Sequence, residues 1–460
     1  MPDQLPFVSV VTPTWCRREF LPYLVHIFYN QDYPVSRREL VILDDSPQNN
    51  QDLIDQLTST FSNRDAIRYF HVSERMTIGQ KRNRLNELAR GEYIVCMDDD
   101  DYYPRDKISY AVGELMNHEA TFSGCDQIYI WYSHINKIYK TAAWGRNHAL
   151  NGTFAYHRRF LTNHRHDDAA TLAEETQFLN GFTARVLQLD PRRSILCVSH
   201  SANTYDKDFV LASSERTDLT LEDFVHDAYL LAHLKRLSHA PVSQRIEWRF
   251  FDRIVVLHRT GSQERLAQFL DLLGELGCDP TSISVHSPQS QHDAADHLAI
   301  ATLARAEGWR NYLLLDDRVS FVRKENVAGT LNRTFHALGS IDWQVFLLGA
   351  HYFHGRALAT LPGVIRLNAA EQAVAYAVNA SYYAAWIAHL EANLVAQESY
   401  PDEKNARVDR MWVKPMREGC WLSIYPSFAY RGERENGLDL TAGFFRKIDT
   451  TPTTSKHDHD

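Results

Sequence analysis

Short apolar runs alternate with amphipathic stretches along the first part of the chain. The runs at 7–11 and 39–43 indicate strands, and between them Phe20, Leu24 and Phe28 recur at the spacing of one helix face. The same alternation predicts four more elements. These are helix 52–61, strand 67–72, helix 79–90 and strand 93–97. Repeated strand–helix units predict a mostly parallel sheet with helices on both faces.

The second half of the chain repeats this organisation after a helical interval. Residues 218–238 have helical periodicity with a candidate capping box at 220–223, and the segment 240–244 has the composition of a linker. The alternation then restarts. It predicts strands 253–257, 312–315 and 343–348 and helices 263–276 and 294–307.

These elements predict an α/β protein with two sheet domains. A length of 460 residues agrees with this, at roughly 150 residues per domain. We expect a first domain at 1–217, a helical segment and linker at 218–244, and a second α/β domain at 245–449. The polar tail at 450–460 is expected to be disordered.

The charge balance, the cysteines and the amino terminus exclude several classes of protein. The 49 Lys and Arg against 58 Asp and Glu give a net charge of -9, so no global basic field exists to bind nucleic acid. The six cysteines are scattered without a Cys-x-x-Cys pair, which argues against zinc and redox sites. The chain begins without signal-peptide features and has no apolar run of membrane-spanning length. We expect a cytoplasmic protein, with peripheral association at the inner membrane face left open.

Acidic residues follow the predicted strands of the first domain. Asp44 and Asp45 follow the second strand, and the run 98–101 consists of four aspartates after the fourth. Ligands of open α/β sheets bind beyond the carboxyl ends of the strands. Adjacent carboxylates raise one another's pKa unless a cation neutralises them, and their hard oxygens select Mg²⁺ or Mn²⁺. The run therefore predicts a divalent metal site, the alternative being a solvated acidic turn.

Basic residues on the helix before the fourth strand are candidates for phosphate binding. Lys81 and Arg82 lie on predicted helix 79–90. Their charges suit a diphosphate that a metal ion also contacts. The alternative is that both are ordinary exposed helix charges.

Four segments in order resemble the family 2 glycosyltransferases of GT-A fold. They are 7–14, 43–46, 78–83 and 91–101. The resemblance implies a GT-A type sheet in the first half of the chain and a nucleotide-sugar donor, usually a UDP sugar. It places Thr12, Pro13 and Thr14 beside the base and ribose, and Asp44 or Asp45 as acceptor of the uracil imide proton. These roles are what the family resemblance implies.

The family also implies roles for the helix and for the acidic run. Arg82 and Asn83 occupy the positions that hold the diphosphate or ribose. Asp98 and Asp100 match the two acids of the family's Asp-x-Asp, with Asp100 as the metal ligand and Asp98 nearer the ribose. The register stays open by one residue, because Asp99 and Asp101 have the same spacing.

Later segments of the first domain resemble the family's catalytic and acceptor motifs. In 173–179, Glu174 and Glu175 match the acidic motif whose second acid is the general base, where the family usually has Asp. Such a carboxylate removes a proton from an acceptor hydroxyl; the alternative is an acidic first helical turn. His200, in 200–204, is implied as a third metal ligand, compatible with Mn²⁺. The family resemblance also implies that the acceptor-binding site is lined by Trp144, Gly152 and Arg158.

The second half of the chain resembles family 25 glycosyltransferases more faintly. The segments 251–259 and 312–321 carry this resemblance, which implies a second GT-A-like domain. At the metal motif the family has Glu-Asp-Asp, and this chain has Asp316, Asp317 and Arg318. The arginine removes a ligand and repels a metal ion, unless the guanidinium binds diphosphate itself. Whether this domain is catalytic or keeps only the fold stays open.

Taken together, these features predict a metal-dependent, inverting glycosyltransferase. It would move a sugar from a nucleotide sugar to a hydroxyl of a glycan or glycoconjugate in surface polysaccharide synthesis, with one or two active domains. One alternative is a metal-dependent nucleotidyl or phosphoryl transferase without a P-loop. Another is a single active domain followed by a non-catalytic scaffold or glycan-binding domain.

Overall fold

A computed structural model gives the fold of the chain. It describes residues 5–59, 61, 63–200, 203, 207–211, 213–238, 245–259, 261–288, 290–324, 327–372, 374–399, 407–432, 434–435 and 438–451. The expected linker at 240–244 and the expected tail from 452 onward lie outside these ranges. The chain forms two compact units, which are Met1–Thr204 with Ser214–Arg236, and Tyr205–Ser213 with Leu237–Asp460.

The strands and helices up to residue 238 follow one another closely. They are β1 (Val8–Thr14), α1 (Leu21–Tyr29), β2 (Arg38–Asp44), α2 (Gln51–Thr58), β3 (Ile67–His71), α3 (Ile78–Leu88), β4 (Tyr93–Cys96), α4 (Lys107–Asn117), β5 (Phe122–Gly124), β6 (Tyr129–Tyr132), β7 (Lys137–Lys140), β8 (Ala155–His157), α5 (Glu175–Phe178), β9 (Leu187–Gln188), β10 (Leu196–Ser199), α6 (Asp208–Leu211), β11 (Glu215–Arg216) and α7 (Ala228–Ser238). All belong to the first unit except α6 and the last residues of α7.

The main sheet of the first unit has the order β3-β2-β1-β4-β8-β5-β9. Strands β3, β2, β1 and β4 run parallel, whereas β8 is antiparallel to β4 and β5. Every residue of β1, β2 and β4 is buried, as expected for central strands that helices cover on both faces. A second sheet, β10-β6-β7-β11, completes the unit.

The order of the parallel strands fixes the position of a ligand cleft. From β1 the chain proceeds to β2 on one side of the sheet, and it later returns to place β4 on the other side. The connections therefore diverge between β1 and β4. Loops leave this point in opposite directions, and the gap between them is where open α/β sheets bind ligands. Residues after Thr14 and after Cys96 lie at this switch point.

The second unit contains the remaining elements. They are β12 (Arg253–Leu257), α8 (Gln263–Glu275), β13 (Ile283–His286), α9 (Asp293–Ala306), β14 (Asn311–Asp316), β15 (Val319–Phe321), α10 (Val327–Leu338), β16 (Val345–Leu347), β17 (His351–Ala357), β18 (Val364–Glu371), β19 (Ala375–Asn379), α11 (Tyr383–Ser399), α12 (Val408–Met411), α13 (Val413–Glu418), β20 (Trp421–Ile424), β21 (Ala429–Arg431), β22 (Arg434–Glu435), β23 (Leu438–Asp439) and α14 (Thr441–Phe444). No helix in the described ranges is long and apolar enough to cross a bilayer.

The sheet of the second unit has its own switch point. Its order is β13-β12-β14-β19-β16-β20-β18-β17, and β13, β12 and β14 run parallel. The connections diverge between β12 and β14, as they do between β1 and β4. Buried Trp386, Trp412, Trp421 and Tyr376 dominate one face of this sheet and anchor the helices against it.

The predicted α/β class is confirmed, with local corrections. The predicted helix 218–238 is wrong in its first half, because the capping box of Thr220 and Asp223 closes only a short 3-10 turn at Leu221–Asp223. The helix begins at Ala228, where the Asp227 carboxylate accepts a hydrogen bond from the Leu230 N–H. Helix 52–61 ends at Thr58, and strand 343–348 is limited to Val345–Leu347.

Candidate active site

The four aspartates lie at the switch point of the first sheet, and alternate members point to different partners. The Asp99 carboxylate accepts a hydrogen bond from the Thr14 hydroxyl and forms an ion pair with Arg17, with an Nη1 to Oδ1 distance of 2.7 Å. Asp101 accepts a hydrogen bond from the Val198 N–H at 2.7 Å. Asp99 and Asp101 therefore tie the run to the end of β1 and to β10.

Asp98 faces a buried arginine. Arg82 Nη1 lies 2.9 Å from Asp98 Oδ1, and Arg82 Nε lies 3.3 Å from Glu174 Oε1. Burial lowers the pKa of Arg82, but the Asp98 and Glu174 carboxylates more than reverse this, so the pKa lies above its ordinary value. The Asp98 side chain is 24% exposed, against 1% for Asp99. Asp98 is thus the more accessible of these two carboxylates.

One oxygen of Asp100 is shared among several donors. Arg17 Nη1 lies 2.6 Å from Asp100 Oδ2, His200 Nε2 lies 3.2 Å from it, and the Asn203 amide donates to it at 2.9 Å. The Phe20 ring stacks on the imidazole of His200. The structure thus brings His200 to the acidic run, and its role as a metal ligand stays a prediction. Asn203 belongs to the same segment, whose residues 201, 202 and 204 lie outside the described ranges.

The two aspartates after β2 have different surroundings. Asp44 accepts hydrogen bonds from Ser46, Asn50 and the Tyr69 hydroxyl, and it is fully buried. Asp45 forms ion pairs with cationic side chains. They are Arg75, 2.7 Å away, and Lys81. Asp44 therefore stabilises the turn after β2, whereas Asp45 forms ion pairs with Arg75 and Lys81 at the edge of the cleft.

The basic residues of α3 are not exposed helix charges. Lys81, Arg82 and Asn83 are all buried. Lys81 Nζ donates to the Thr14 carbonyl oxygen, and the Asn83 amide donates to the His166 carbonyl oxygen and to Asp168. Lys81 and Arg82 lie within the acidic site, whereas Asn83 fixes the loop that leads to Glu174.

The β1 residues mainly connect strands. The Thr12 hydroxyl donates to the Met97 carbonyl oxygen at 2.6 Å, and Pro13 and Thr14 complete the buried strand. Beyond them Trp15 is 39% exposed, and the guanidinium of Arg75 lies 4.1 Å above its ring. An exposed aromatic face thus lies beside the aspartates that follow β2.

Glu175 begins the short helix α5 and is oriented by an amide. The Asn151 amide donates to Glu175 Oε2 at 3.1 Å. Burial raises the pKa of Glu175, and the neighbouring Glu174 carboxylate acts in the same direction. Glu174 differs, because its carboxylate is paired with Arg82. Glu175 is therefore the better proton acceptor of the two acids.

Gly152 lies against the accessible aspartate. A Cβ at this position would lie 3.5 Å from Asp98 Oδ2, 3.2 Å from the Tyr103 hydroxyl and 2.8 Å from Ile195 Cδ1. The missing side chain lets the 151–153 turn pack against Ile195 and Tyr103, with Asp98 at ordinary contact distance. Asn151 and Gly152 therefore connect the acidic run with Glu175.

Two of the three predicted acceptor positions do not join this cluster. Arg158 donates to the carbonyl oxygens of Ala89 and Gly91, which precede β4, so it lies at the opposite end of that strand from the acidic run. Trp144 is 45% exposed and stacks on His148. Arg158 is thus a structural arginine here, because it satisfies backbone carbonyls of the α3–β4 connection.

Sequence reasoning missed four polar residues that complete the site. They are Arg17, Arg75, Asn151 and Asn203. Each follows or adjoins a predicted motif in the sequence, which is the one signal that could have identified it. Their partners come from distant parts of the chain, so pairing could not be predicted from spacing.

The site carries more acid than base. Its named carboxylates are Asp44, Asp45, Asp98, Asp99, Asp100, Asp101, Glu174 and Glu175, and its named basic groups are Arg17, Arg75, Lys81 and Arg82. Carboxylate oxygens and an imidazole are suitable ligands for Mn²⁺, and the excess negative charge favours a cation. Within the described ranges, no three His, Cys, Asp or Glu side chains are grouped as a metal would require. Guanidinium groups contact Asp98 and Asp100.

The predicted residues of the second domain lie at the second switch point. Asp316 ends β14, and Asp317 and Arg318 follow it. Arg318 forms hydrogen bonds to Asp316, and Asp317 forms an ion pair with His258 at 2.7 Å. Both carboxylates are buried.

Two curated proteins are similar to part of the chain. The chain is 28% identical over 124 residues to "Putative teichuronic acid biosynthesis glycosyltransferase TuaG" of Bacillus subtilis (strain 168), covering 27% of this chain and 47% of that protein. It is 32% identical over 121 residues to "Putative colanic acid biosynthesis glycosyl transferase WcaA" of Escherichia coli (strain K12), covering 26% of this chain and 42% of that protein. The chain thus spans less than half the length of these relatives.

Two solved structures are also similar. One is the mannosyltransferase PcManGT from Pyrobaculum calidifontis in complex with GDP-Man and Mn²⁺, at 18% identity and a TM-score of 0.36, covering 46% of this chain and 64% of that chain. The other is S. aureus TarS 1-349 in complex with UDP-GlcNAc, at 16% identity and a TM-score of 0.34, covering 59% of this chain and 80% of that chain. These TM-scores are too low to support a functional assignment.

A family model covers the region that contains most of the site. The model described as glycosyl transferase family 2 matches residues 9–173, from β1 to just before Glu174. The match ends well before the second unit, for which the family 25 resemblance stays a prediction. The predicted resemblance of the amino-terminal region is confirmed: residues 9–173 match glycosyl transferase family 2.

Proposed function

We propose that the chain transfers a sugar from a nucleotide sugar, with a UDP sugar as the preferred donor, to a hydroxyl of a glycan or glycoconjugate. The observation that carries the proposal is the excess of carboxylates at the β1–β4 switch point, inside the region that matches the family 2 model. The names of both curated relatives refer to polysaccharide biosynthesis, which supports synthesis of a surface polysaccharide as the setting.

The donor would lie across the carboxyl ends of β1, β2 and β4. Asp44 and Asp45 both stay candidates to accept a hydrogen bond from the uracil imide N–H, because Asp44 is bonded to Asn50 and Tyr69 and Asp45 is paired with Arg75 and Lys81. Arg75 and Lys81 gather at Asp45, and Arg82 lies beside Asp98, so cationic groups are available on two sides of a diphosphate. The exposed ring of Trp15 offers a surface for a nucleobase.

Asp98 and Asp100 are the proposed ligands of a divalent cation, with His200 as a third. Asp99 and Asp101 are tied to Thr14 and Val198, which favours this register of the acidic run. When bound, the cation would offset negative charge that develops on the nucleoside diphosphate leaving group, and Mn²⁺ suits the imidazole better than Mg²⁺. Arg17 contacts Asp100 at the same oxygen as His200, so it must give up this contact when the cation binds.

Glu175 is the proposed general base. Its carboxylate would accept the proton of the acceptor hydroxyl while that oxygen attacks the anomeric carbon and the nucleoside diphosphate leaves. The bond between the anomeric carbon and the phosphate oxygen breaks as the new glycosidic bond forms, so one displacement inverts the anomeric centre. The raised pKa of Glu175 favours this proton transfer, and the Asn151 amide fixes the carboxylate.

The test is a donor panel with the purified protein and Mn²⁺. UDP sugars and GDP sugars are incubated with glycan acceptors, and the released phosphate compounds are separated by chromatography. Glycosyl transfer releases the intact nucleoside diphosphate, and we expect UDP. Release of inorganic pyrophosphate or phosphate instead would identify a nucleotidyl or phosphoryl transferase and contradict the proposal.

A further inference from the structure

The helix after the acidic run carries a fully buried lysine that the proposed transfer does not use. Lys107 is the first residue of α4, and its exposed fraction is 0%. Lysine is almost never fully buried, because an ammonium group that leaves water must be paired or hydrogen-bonded. The partner of this amine therefore indicates what the residue does.

The partner of the amine is a backbone carbonyl group. Lys107 Nζ donates a hydrogen bond to the Thr153 carbonyl oxygen at 2.8 Å. In the part of the chain that the structure describes, no carboxylate forms an ion pair with this amine. Burial lowers the pKa of Lys107 to about 8, and the thiols of Cys125 and Cys96 act weakly in the opposite direction. The amine is therefore still protonated at pH 7, and its bond to the carbonyl oxygen is charge-assisted.

The carbonyl oxygen belongs to a short turn that is held from three sides. Thr153 is fully buried, and its hydroxyl donates to the Leu150 carbonyl oxygen at 2.6 Å. The same hydroxyl accepts from the Cys125 N–H at 2.9 Å, which ties the turn to the end of β5. Lys107 adds the connection to α4. The position of the Asn151–Thr153 turn is thus fixed by side chains from separate elements.

This turn carries the groups that lie beside the proposed base. The Asn151 amide donates to Glu175 Oε2 at 3.1 Å. Gly152 packs against Tyr103, whose hydroxyl accepts from the Asp98 N–H at 2.7 Å. A displacement of the turn would therefore move the Asn151 amide away from the Glu175 carboxylate.

We infer that Lys107 is a positioning residue for the general base, because it fixes the 151–153 turn from which Asn151 orients Glu175. Lys107 acts through Asn151 and does not itself contact the donor or the acceptor. The inference rests on the proposed function, in which Glu175 accepts the proton of the acceptor hydroxyl.

The bond to Asn151 leaves a measurable signature on Glu175. Burial raises the pKa of Glu175, and the Asn151 amide lowers it. The other charged groups that act on this carboxyl are Glu174, which raises its pKa, and Arg82, which lowers it. A variant of Lys107 changes neither of these two groups. Loss of the lysine should therefore raise the pKa of Glu175 by releasing the amide.

The first test is Lys107→Met, which keeps the length of the side chain and removes the ammonium group. With the donor and acceptor that the donor panel identifies, we expect the turnover number to fall by about tenfold to a hundredfold, with an unchanged donor KM. The acidic limb of the pH profile should move to higher pH. Lys107→Arg keeps a charged donor and should retain more of the turnover number than Lys107→Met.

A second readout does not depend on transfer activity. The pKa of Glu175 is measured by ¹³C NMR of the full chain labelled at glutamate, with the resonance assigned by its absence from Glu175→Gln. We expect a higher pKa in Lys107→Met than in the unmodified chain. An unchanged pKa would overturn the inference, whatever the donor panel shows. A raised pKa together with a donor panel that shows no glycosyl transfer would instead contradict the proposed function alone.

A double-mutant cycle tests whether Lys107 acts through Asn151. Asn151→Ala should raise the pKa of Glu175 as Lys107→Met does. In the Asn151→Ala background, Lys107→Met should have little further effect on this pKa or on the turnover number. Effects that multiply as if the two residues were independent would contradict the inference.

Ile108→Val is the matched control on the same helix. Ile108 is fully buried next to Lys107 in α4, and the variant removes one methylene group from the core. We expect slightly lower stability with an unchanged turnover number and an unchanged pKa of Glu175. Chemical denaturation of each variant identifies those that fail to fold. If Lys107→Met does not fold, Lys107→Gln takes its place, and the same increase in the pKa of Glu175 is expected.

Discussion

The two switch points, β1–β4 in the first unit and β12–β14 in the second, occupy the same place in their sheets but differ in charge and in access. In the first, Asp98 is 24% exposed and lies beside a buried Arg82. In the second, Arg318 is 24% exposed and lies beside a buried Asp316. In these two pairs the more exposed partner is an acid in the first unit and a base in the second. The first unit also has a pair of the second kind, because Arg75 is 50% exposed beside the buried Asp45.

In open α/β sheets, topology determines where a ligand binds, and the side chains at that place determine which ligand binds. An accessible carboxylate backed by a cation can bind a metal ion, whereas an accessible guanidinium backed by a carboxylate repels one and attracts an anion.

Removal of the proposed base should have the largest effect. Glu175→Gln keeps the size of the side chain and an acceptor for the Asn151 amide, but it cannot accept a proton. We expect the turnover number to fall by about 10²- to 10⁴-fold with little change in donor affinity. Because burial raises the pKa of Glu175, activity of the unmodified chain should rise with pH through a pKa above the ordinary glutamate value.

The control is Glu87→Gln, a half-exposed glutamate of α3 that pairs with Arg84. It should leave the turnover number unchanged. If Glu175→Gln retains full turnover and the acidic limb of the pH profile, Glu175 is not the base.

Arg17→Gln should destabilise the first unit, and Mn²⁺ should reverse this. The variant leaves Asp99 and Asp100 without their guanidinium, which costs about 3 kcal/mol of unfolding free energy or more for a buried pair. A divalent cation at Asp100 would replace the lost charge. Chemical denaturation in EDTA and in Mn²⁺ measures the difference.

The same denaturation of Arg318→Gln sharpens the comparison. Asp316 loses its partner in that variant, and we expect destabilisation that Mn²⁺ does not reverse, because neighbouring Arg259 remains. Equal rescue of Arg17→Gln and Arg318→Gln by Mn²⁺ would mean that the two switch points do not differ as described.

Acid should destabilise the second unit through His297. Its folded-state pKa of about 4 lies below the ordinary value of 6.5, so the unfolded state binds the proton more readily. The stabilisation is complete above pH 6.5 and is lost as pH falls toward 4, by about 3 kcal/mol in total. His297→Gln should flatten this part of the stability profile, measured by denaturation at several pH values. An unchanged slope would show that His297 titrates normally.

Trp144→Ala should have the smallest effect. The side chain is 45% exposed and contacts His148, so little packing is lost. If its ring stacks on an acceptor sugar, the acceptor KM should rise by about tenfold or less while the turnover number stays the same. An unchanged KM for the acceptor would show that Trp144 does not contact the acceptor sugar.

The sequence predicted β1 to β4, β12, β14, β16 and the position of the acidic run, because buried central strands require continuous apolar runs and their ends are marked by polar residues. It did not predict β5 to β11, β13, β15 or β17 to β23, most of which are short or not continuously apolar. It did not predict which charges pair. Arg17 and Asp100 are distant in sequence, and Asn151 and Glu175 are 24 residues apart. Arg158 was misplaced for the same reason, since nothing local indicates that it bonds backbone carbonyls before β4.

The most direct test of the central claim is calorimetric titration of UDP into the full chain in Mn²⁺ and in EDTA, repeated on Asp98→Asn and Asp101→Asn. A metal-dependent nucleotide site at Asp98 and Asp100 predicts a Mn²⁺-dependent component of UDP binding, and Asp98→Asn should lose that component. Asp101→Asn, whose amide oxygen can still accept from the Val198 N–H, should keep this Mn²⁺-dependent binding. UDP binding that is equal in Mn²⁺ and in EDTA, or that Asp98→Asn leaves intact, would contradict the account.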